Sequence, residues 1–125
     1  MKELFINYKI NAPAEELFRA MTDSFALELW TGYPAEMKPE KGTEFEIWGG
    51  DICGVNLEFI ENQKIVQEWY FGEQEERSIV TIMLKPKGKG TMIEVIHTNI
   101  PDEAYDNIKS GWYDTYLSSL KGFYK

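Results

Sequence analysis

Two helical segments bracket an otherwise β-type sequence, and that arrangement most constrains how this chain can fold. At the start, Ile10-Asn11-Ala12-Pro13-Ala14-Glu15-Glu16-Leu17-Phe18-Arg19-Ala20-Met21-Thr22 runs a strand directly into a short amphipathic helix. At the end, Asp102 to Phe123 carries Tyr105, Ile108, Trp112, Tyr116, Leu120 and Phe123 at spacings of three and four, the apolar stripe of a helix roughly 33 Å long. Gly111 and Trp112 stand in the middle of that stripe. A glycine inside a helix costs about 1 kcal/mol relative to alanine, so its presence there points to close approach by another backbone or a bulky ring. A sheet opened by short helices and closed by one long helix has few packings, and the favoured one wraps the sheet around the long helix.

Residues 3–11 alternate, with Leu4, Ile6, Tyr8 and Ile10 on one face, the signature of a half-buried strand. Pro13 suits a first helical turn, and Leu17, Phe18 and Met21 form the buried stripe of the helix that ends near Thr22. Asp23 is placed to cap a second short helix, Ser24 to Trp30, with Phe25, Leu29 and Trp30 facing inward. Tyr33 to Gly42, with Pro34 and Pro39, is a long irregular connection of the kind that edges binding sites, and Met37 in it could serve as a flexible gate. Strand-like runs follow at Thr43–Trp48, Asp51–Ile60, Lys64–Phe71, Arg77–Leu84 and Thr91–Asn99. Their connections are Gly49-Gly50, Asn62-Gln63, a charged loop from Gly72 to Glu76, and a Lys-Gly turn. Such short links predict an antiparallel meander.

Centring the last hairpin on its turn pairs Leu84 with Thr91, Ile82 with Ile93, Val80 with Val95 and Ser78 with His97, which puts the β-branched set on one face. The opposite face carries Ile79, Thr81 and Met83 beside Met92, Glu94 and Ile96, and is more apolar than a purely solvated face. In Asp51–Ile60, alternation allows either Gly54, Asn56 and Glu58 or Val55, Leu57 and Phe59 to be the inward set.

The 125 residues fit one domain spanning 1–125, long enough to bury a core. Cys53 is the only cysteine, and the N-terminus lacks the apolar stretch of a signal peptide, so a reducing cytoplasm is the expected location. No run approaches the ~20 apolar residues of a membrane span. A net charge of −8, from 13 basic and 21 acidic residues, disfavours nucleic acid and anionic membranes as partners. The basic stretch Lys85-Pro86-Lys87-Gly88-Lys89-Gly90 reads as a solvated turn. Aromatics make up 14% of the chain, four of them tryptophans, so something large and apolar is enclosed or lined.

Seven segments together resemble the family named for the activator of heat-shock protein 90 ATPase. They are Asn11-Ala12-Pro13-Ala14-Glu15-Glu16-Leu17-Phe18, Gly42-x-x-Phe45, Gly50-x-x-x-Gly54, Ile65-Val66-x-x-Trp69, Gly90-Thr91-x-Ile93-x-Val95-x-His97, Ile100-Pro101 and Gly111-Trp112. That family is part of the START-like, Bet v 1-like helix-grip superfamily, which also holds lipid-transfer proteins and polyketide cyclases. The resemblance implies an α+β helix-grip fold: a curved antiparallel sheet of about six strands, two short helices after the first strand, and a long C-terminal helix across the concave face. It implies a cavity between sheet and helix. In the eukaryotic activator this module is the C-terminal half, beside a separate N-terminal domain that carries much of the chaperone contact.

By the same similarity Gln67, on one strand face with Ile65, Trp69 and Phe71, is expected to point inward. A buried amide there must find a partner in protein, water or ligand. The register puts His97, the only histidine, on the inner face as a structural residue or a ligand contact. Trp30, Asn56, Glu58, Gln67, Trp69, His97, Tyr105 and Trp112 are the cavity candidates. One histidine and one cysteine in different strands make no metal set, and no Ser-His-Asp, Cys-His or phosphate-loop pattern is present. No metal, cofactor or catalytic residue is therefore expected. Three functions are carried forward. The first is non-enzymatic binding of a small hydrophobic or amphipathic ligand. The second is a co-chaperone or self-association module using Ile79, Met83, Met92 and Ile96. The third and least favoured is a polyketide-cyclase-like enzyme assisted by His97, Glu58 or Gln67.

Overall fold

The computed structural model describes residues 1–70 and 77–124. Strand β1 (Lys2–Ile10) buries Leu4, Ile6 and Ile10 and turns its alternate residues out. It passes into helix α1 (Ala14–Thr22) at Pro13, which stands one residue before the helix and accepts the N–H groups of Glu16 and Leu17 at 3.1 Å. Asp23 ends α1 and caps α2 (Ser24–Thr31), its carboxylate accepting the Ala26 N–H at 2.9 Å.

The expected face of α2 needs correction. Leu27 and Trp30 are buried, whereas Phe25 and Leu29 are 69% and 56% exposed. Ser24 Oγ both accepts from the Met37 N–H (2.7 Å) and donates to the Met37 carbonyl (3.0 Å), and the Trp30 indole donates to the Ala20 carbonyl (2.8 Å). These bonds set the helix rotation. Phe25 and Leu29 flank Leu27 by two residues, roughly 200° around the helix, and so point outward.

Strands β2 (Glu44–Ile47), β3 (Ile52–Ile60), β4 (Lys64–Trp69), β5 (Ser78–Lys87) and β6 (Gly90–Ile100) join β1 in one antiparallel sheet ordered β1-β6-β5-β4-β3-β2. After a 3-10 turn at Asp102–Ala104 the chain forms α3 (Tyr105–Ser110), a π-helical stretch over Gly111–Leu117, and α4 (Ser118–Phe123). Helical backbone angles at Ser110, Gly111, Leu117 and Ser118 make these one continuous C-terminal helix. It packs on the inner face of the sheet through Trp112, Tyr116, Leu117 and Leu120. Leu117 joins the buried stripe because π winding brings it around beside Tyr116, while Phe123 is exposed. This is the α+β helix-grip architecture.

Three details differ from the sequence expectations. In the last hairpin Leu84 pairs with Ile93, Ile82 with Val95 and Val80 with His97, two residues away from the centred register. A two-residue loop, Gly88-Lys89 with Gly88 at φ +61°, replaces the longer turn. A slip of two preserves every face, so Val80, Ile82, Leu84, Ile93 and Val95 are still the buried set. Between β2 and β3 the loop is Trp48–Asp51, with positive φ at Trp48 (+56°), Gly49 (+66°) and Gly50 (+101°), so Trp48 leaves the strand. In β3, Asn56 pairs with Gln67 and Glu58 with Val66, which makes Leu57 a bulge. Gly54 and Asn56 therefore point inward before the bulge and Phe59 after it, where Phe59 meets Phe18 edge-on at 6.2 Å. Each sequence alternative holds for half of the strand. The expected placements of Phe71 and of the loop Gly72 to Glu76 lie outside the described residues.

Gly54 in β3 and Gly111 in the C-terminal helix have opposite surroundings. A Cβ at Gly54 would run into the Glu68 carbonyl oxygen of the adjacent strand, whereas one at Gly111 would meet nothing within 4 Å. The close approach expected at Gly111 is absent; the position opens onto space. In urea unfolding Gly54→Ala should lose about 1–3 kcal/mol, while Gly111→Ala should gain about 0.5–1 kcal/mol from the lower entropy cost of alanine in a helix.

Candidate ligand pocket and the polar chains behind it

Among the described residues six polar side chains are buried in the core, and hydrogen bonding links four of them into two chains. In the first, the Trp69 indole donates to Gln67 Oε1 (2.9 Å), and Gln67 Nε2 donates to Asn56 Oδ1 (3.0 Å). Asn56 Nδ2 then reaches Thr43 Oγ1 (3.1 Å) and the Lys38 carbonyl (3.3 Å). In the second, the Trp112 indole donates to His97 Nδ1 (3.1 Å), His97 Nε2 meets Ser78 Oγ at 2.8 Å, and Ser78 Oγ donates to the Thr98 carbonyl (3.2 Å). Because Nδ1 accepts, the neutral ring carries its proton on Nε2 and donates to Ser78. Burial pulls the imidazole down from its ordinary 6.5 to about 4. The chains meet where Trp69 stacks on Trp112, centroids 4.9 Å apart and planes 16° from parallel.

Next to this stack lies a cavity of about 280 Å³. The Trp48–Asp51 loop and the start of β3 form one wall, Trp69 and Tyr70 a second, and Asn107, Ile108, Gly111, Trp112, Thr115 and Tyr116 of the C-terminal helix a third. Gly111 offers no side chain to fill it. Trp48 sits in the left-handed region, unusual for a bulky residue and costing on the order of 1–3 kcal/mol, and such strain gathers at ligand sites. Its loop is held by the Gly49 N–H on the Pro34 carbonyl (2.9 Å) and by the Glu36–Glu46 bridge. Met37 is 4% exposed and packs in the core, so it is no gate.

Tyr116 is 3% exposed, with its ring against Trp30 (5.3 Å), Trp48 (5.6 Å) and Trp112 (4.6 Å). Burial alone pushes its phenol well above the ordinary value, and its hydroxyl makes no hydrogen bond to a described residue. Leaving a buried hydroxyl unpaired costs about 1–3 kcal/mol.

The sequence candidates divide accordingly. Trp69 and Trp112 line the pocket, Asn56, Gln67 and His97 lie in the chains behind it, and Trp30 backs Trp48 edge-on at 5.4 Å. Glu58 does not belong: the bulge turns it outward to an ion pair with Lys64 at 2.9 Å. Tyr105 does not line the pocket either; its ring lies under the Lys2 ammonium, 4.9 Å away. Asp51, Tyr70 and Tyr116 were missed as cavity residues. Tyr116 already stood in the helical stripe, and Trp48, one of the four tryptophans able to shape a pocket, reaches it from a loop and not from the strand expected to end there. Ile79, Met83, Met92 and Ile96 share the outer sheet face and are half-buried. Among the described residues no group of three His, Cys, Asp or Glu is placed to hold a metal, and no helix is long and apolar enough to cross a membrane.

Over residues 11–125 the chain matches the family described as Activator of Hsp90 ATPase homolog 1-like protein. The chain belongs to that family. It is 32% identical over 98 residues to the activator of 90 kDa heat shock protein ATPase homolog of Dictyostelium discoideum, covering 76% of this chain and 26% of that protein. It is 25% identical over 123 residues to human activator homolog 1, covering 97% of this chain and 35% of the human protein. The chain thus spans about a quarter to a third of these curated relatives. Among solved structures, an HSP90 activator from Plasmodium falciparum superposes with a TM-score of 0.89 at 27% identity, covering 98% of this chain and 96% of that one. In this activator-family chain the segment Gly90 to His97 has a physical reading. Thr91 Oγ1 donates to the Ala12 carbonyl at 2.7 Å, tying β6 to the β1–α1 turn, and the same strand delivers His97 to Trp112.

His97 makes stability depend on pH with a definite sign. Its folded pKa lies below the unfolded one, so the unfolded chain binds more protons between them. The contribution is complete above about pH 6.5 and is lost as pH falls to about 4, a total of roughly 3 kcal/mol. Chemical denaturation at pH 7 and pH 4.5 should show a larger loss for wild type than for His97→Gln. Equal losses would place the origin elsewhere.

Proposed function

We propose that this chain is a non-enzymatic helix-grip module that holds one small apolar or amphipathic ligand between the sheet and the C-terminal helix. The observation that carries this reading is the aromatic-walled pocket, lined in part by the buried Tyr116, whose hydroxyl bonds to no described residue. Ligand pockets run from roughly 300 to 1,000 Å³, so about 280 Å³ suits a molecule of one or two rings and is short of a long acyl chain. Binding fits the side chains better than catalysis does. The lone pair of His97 is taken by Trp112, Gln67 is held at both ends of its amide, and Glu58 points away from the pocket.

Native mass spectrometry of the protein purified from its own host, followed by extraction, should reveal a stoichiometric small molecule. Gly111→Leu, which projects a side chain into the space next to Gly111, should lose that molecule and still fold. Retention of the molecule by the folded variant would place it elsewhere.

A second reading is a co-chaperone-like interaction module. Its support is the naming of the relatives as activators of the 90 kDa heat shock protein ATPase, together with an apolar row on the outer face. There Phe5, 65% exposed, lies opposite Ile96, which continues to Thr81 and Val66. On this reading the purified chain raises the ATPase rate of its host's 90 kDa chaperone, and Phe5→Glu abolishes the increase. An unchanged rate with the wild-type chain removes it.

A further inference from the structure

We infer that the pocket selects a protonated amine carried on a ring, and that Asp51 is its counter-ion. The inference rests on the binding reading above and concerns what charge the bound molecule bears. Of the described residues that line the pocket, Asp51 is the one charged side chain, and no lysine, arginine or histidine is among them. The chain as a whole carries −8. A carboxylate or phosphate entering here would shed water, find no opposite charge, and approach through a repulsive field.

An ammonium meets the opposite situation. Trp48, Trp69, Tyr70 and Trp112 supply aromatic surface whose faces attract cations, and the attraction grows as water is excluded. Asp51 lies in the loop that also presents Trp48, at the solvent-exposed mouth, so the charge pair forms at the rim while the ring goes inward. Tyr116 also lines the pocket, and its hydroxyl bonds to no described residue. A ligand N–H or hydroxyl would supply its missing partner. The cavity volume limits the body of the ligand to one or two rings, since a void near 150 Å³ already takes benzene.

Three probes that share a phenylethyl body and differ in the group at its end test the charge: 2-phenylethylamine, 2-phenylethanol and 3-phenylpropanoate, titrated against tryptophan fluorescence and by calorimetry at pH 7 and low salt. The expected order is amine, alcohol, acid, with the amine at least about tenfold tighter than the acid. Asp51→Asn should weaken the amine about three- to tenfold and leave the alcohol within about twofold. If the acid binds as tightly as the amine, or Asp51→Asn weakens amine and alcohol alike, the charge inference is overturned. The binding reading then survives provided that Gly111→Leu abolishes the alcohol signal. If no probe binds the wild-type protein, the charge inference falls; an empty pocket in native mass spectrometry then takes the binding reading with it.

Discussion

The stack of Trp69 on Trp112 is the contact on which the rest of the structure depends, because it joins the sheet to the helix at the point where both buried polar chains end. Each indole has one N–H, and the two point to different destinations, Trp69 to Gln67 and Trp112 to His97. The faces supply an aromatic pair worth about 0.5–1.5 kcal/mol beyond burial. The N–H groups fix rotation about each side chain. The helix is thus held in register on the sheet by directional bonds as well as by apolar area, which alone would allow it to slide.

That fixed register creates the pocket. With Trp112 and Tyr116 turned to the sheet, Gly111 falls next to the gap between helix and hairpin, and the π-helical winding carries Leu117 into the core beside Tyr116. The opposite wall depends on a strained loop: three consecutive residues of positive φ turn Trp48 away from its strand and over Tyr116. Anchoring of that loop by Pro34 and Glu36 explains why the long irregular connection matters although Met37 itself is buried in the core.

The buried His97 is part of this frame. Its two nitrogens are spent on Trp112 and Ser78, and the low pKa follows from burial in that position. A group so committed stabilises the helix–sheet junction; it has no free lone pair to offer a substrate. Family membership gives the fold, while the named relatives are three to four times the length of the matched segment, so what the module contributes to them is a separate question from whether its own pocket takes a ligand.

Sequence periodicity alone determined the order of elements, the inward set of β1, β5 and β6, the Asp23 cap and the stripe through Trp112, Tyr116 and Leu120, because these follow from the repeat of strand or helix and tolerate a slip of two. It also brought His97 and Trp112 to the inner face, whereas the inward face of Gln67 and Trp69 came from the family resemblance. Only the tertiary structure decided the rotation of α2, the bulge that sends Glu58 outward, the departure of Trp48 from its strand, and the open space at Gly111. Each of these is set by a contact between residues distant in the chain, such as Ser24 with Met37 or Gly49 with Pro34, and local alternation carries no record of such partners.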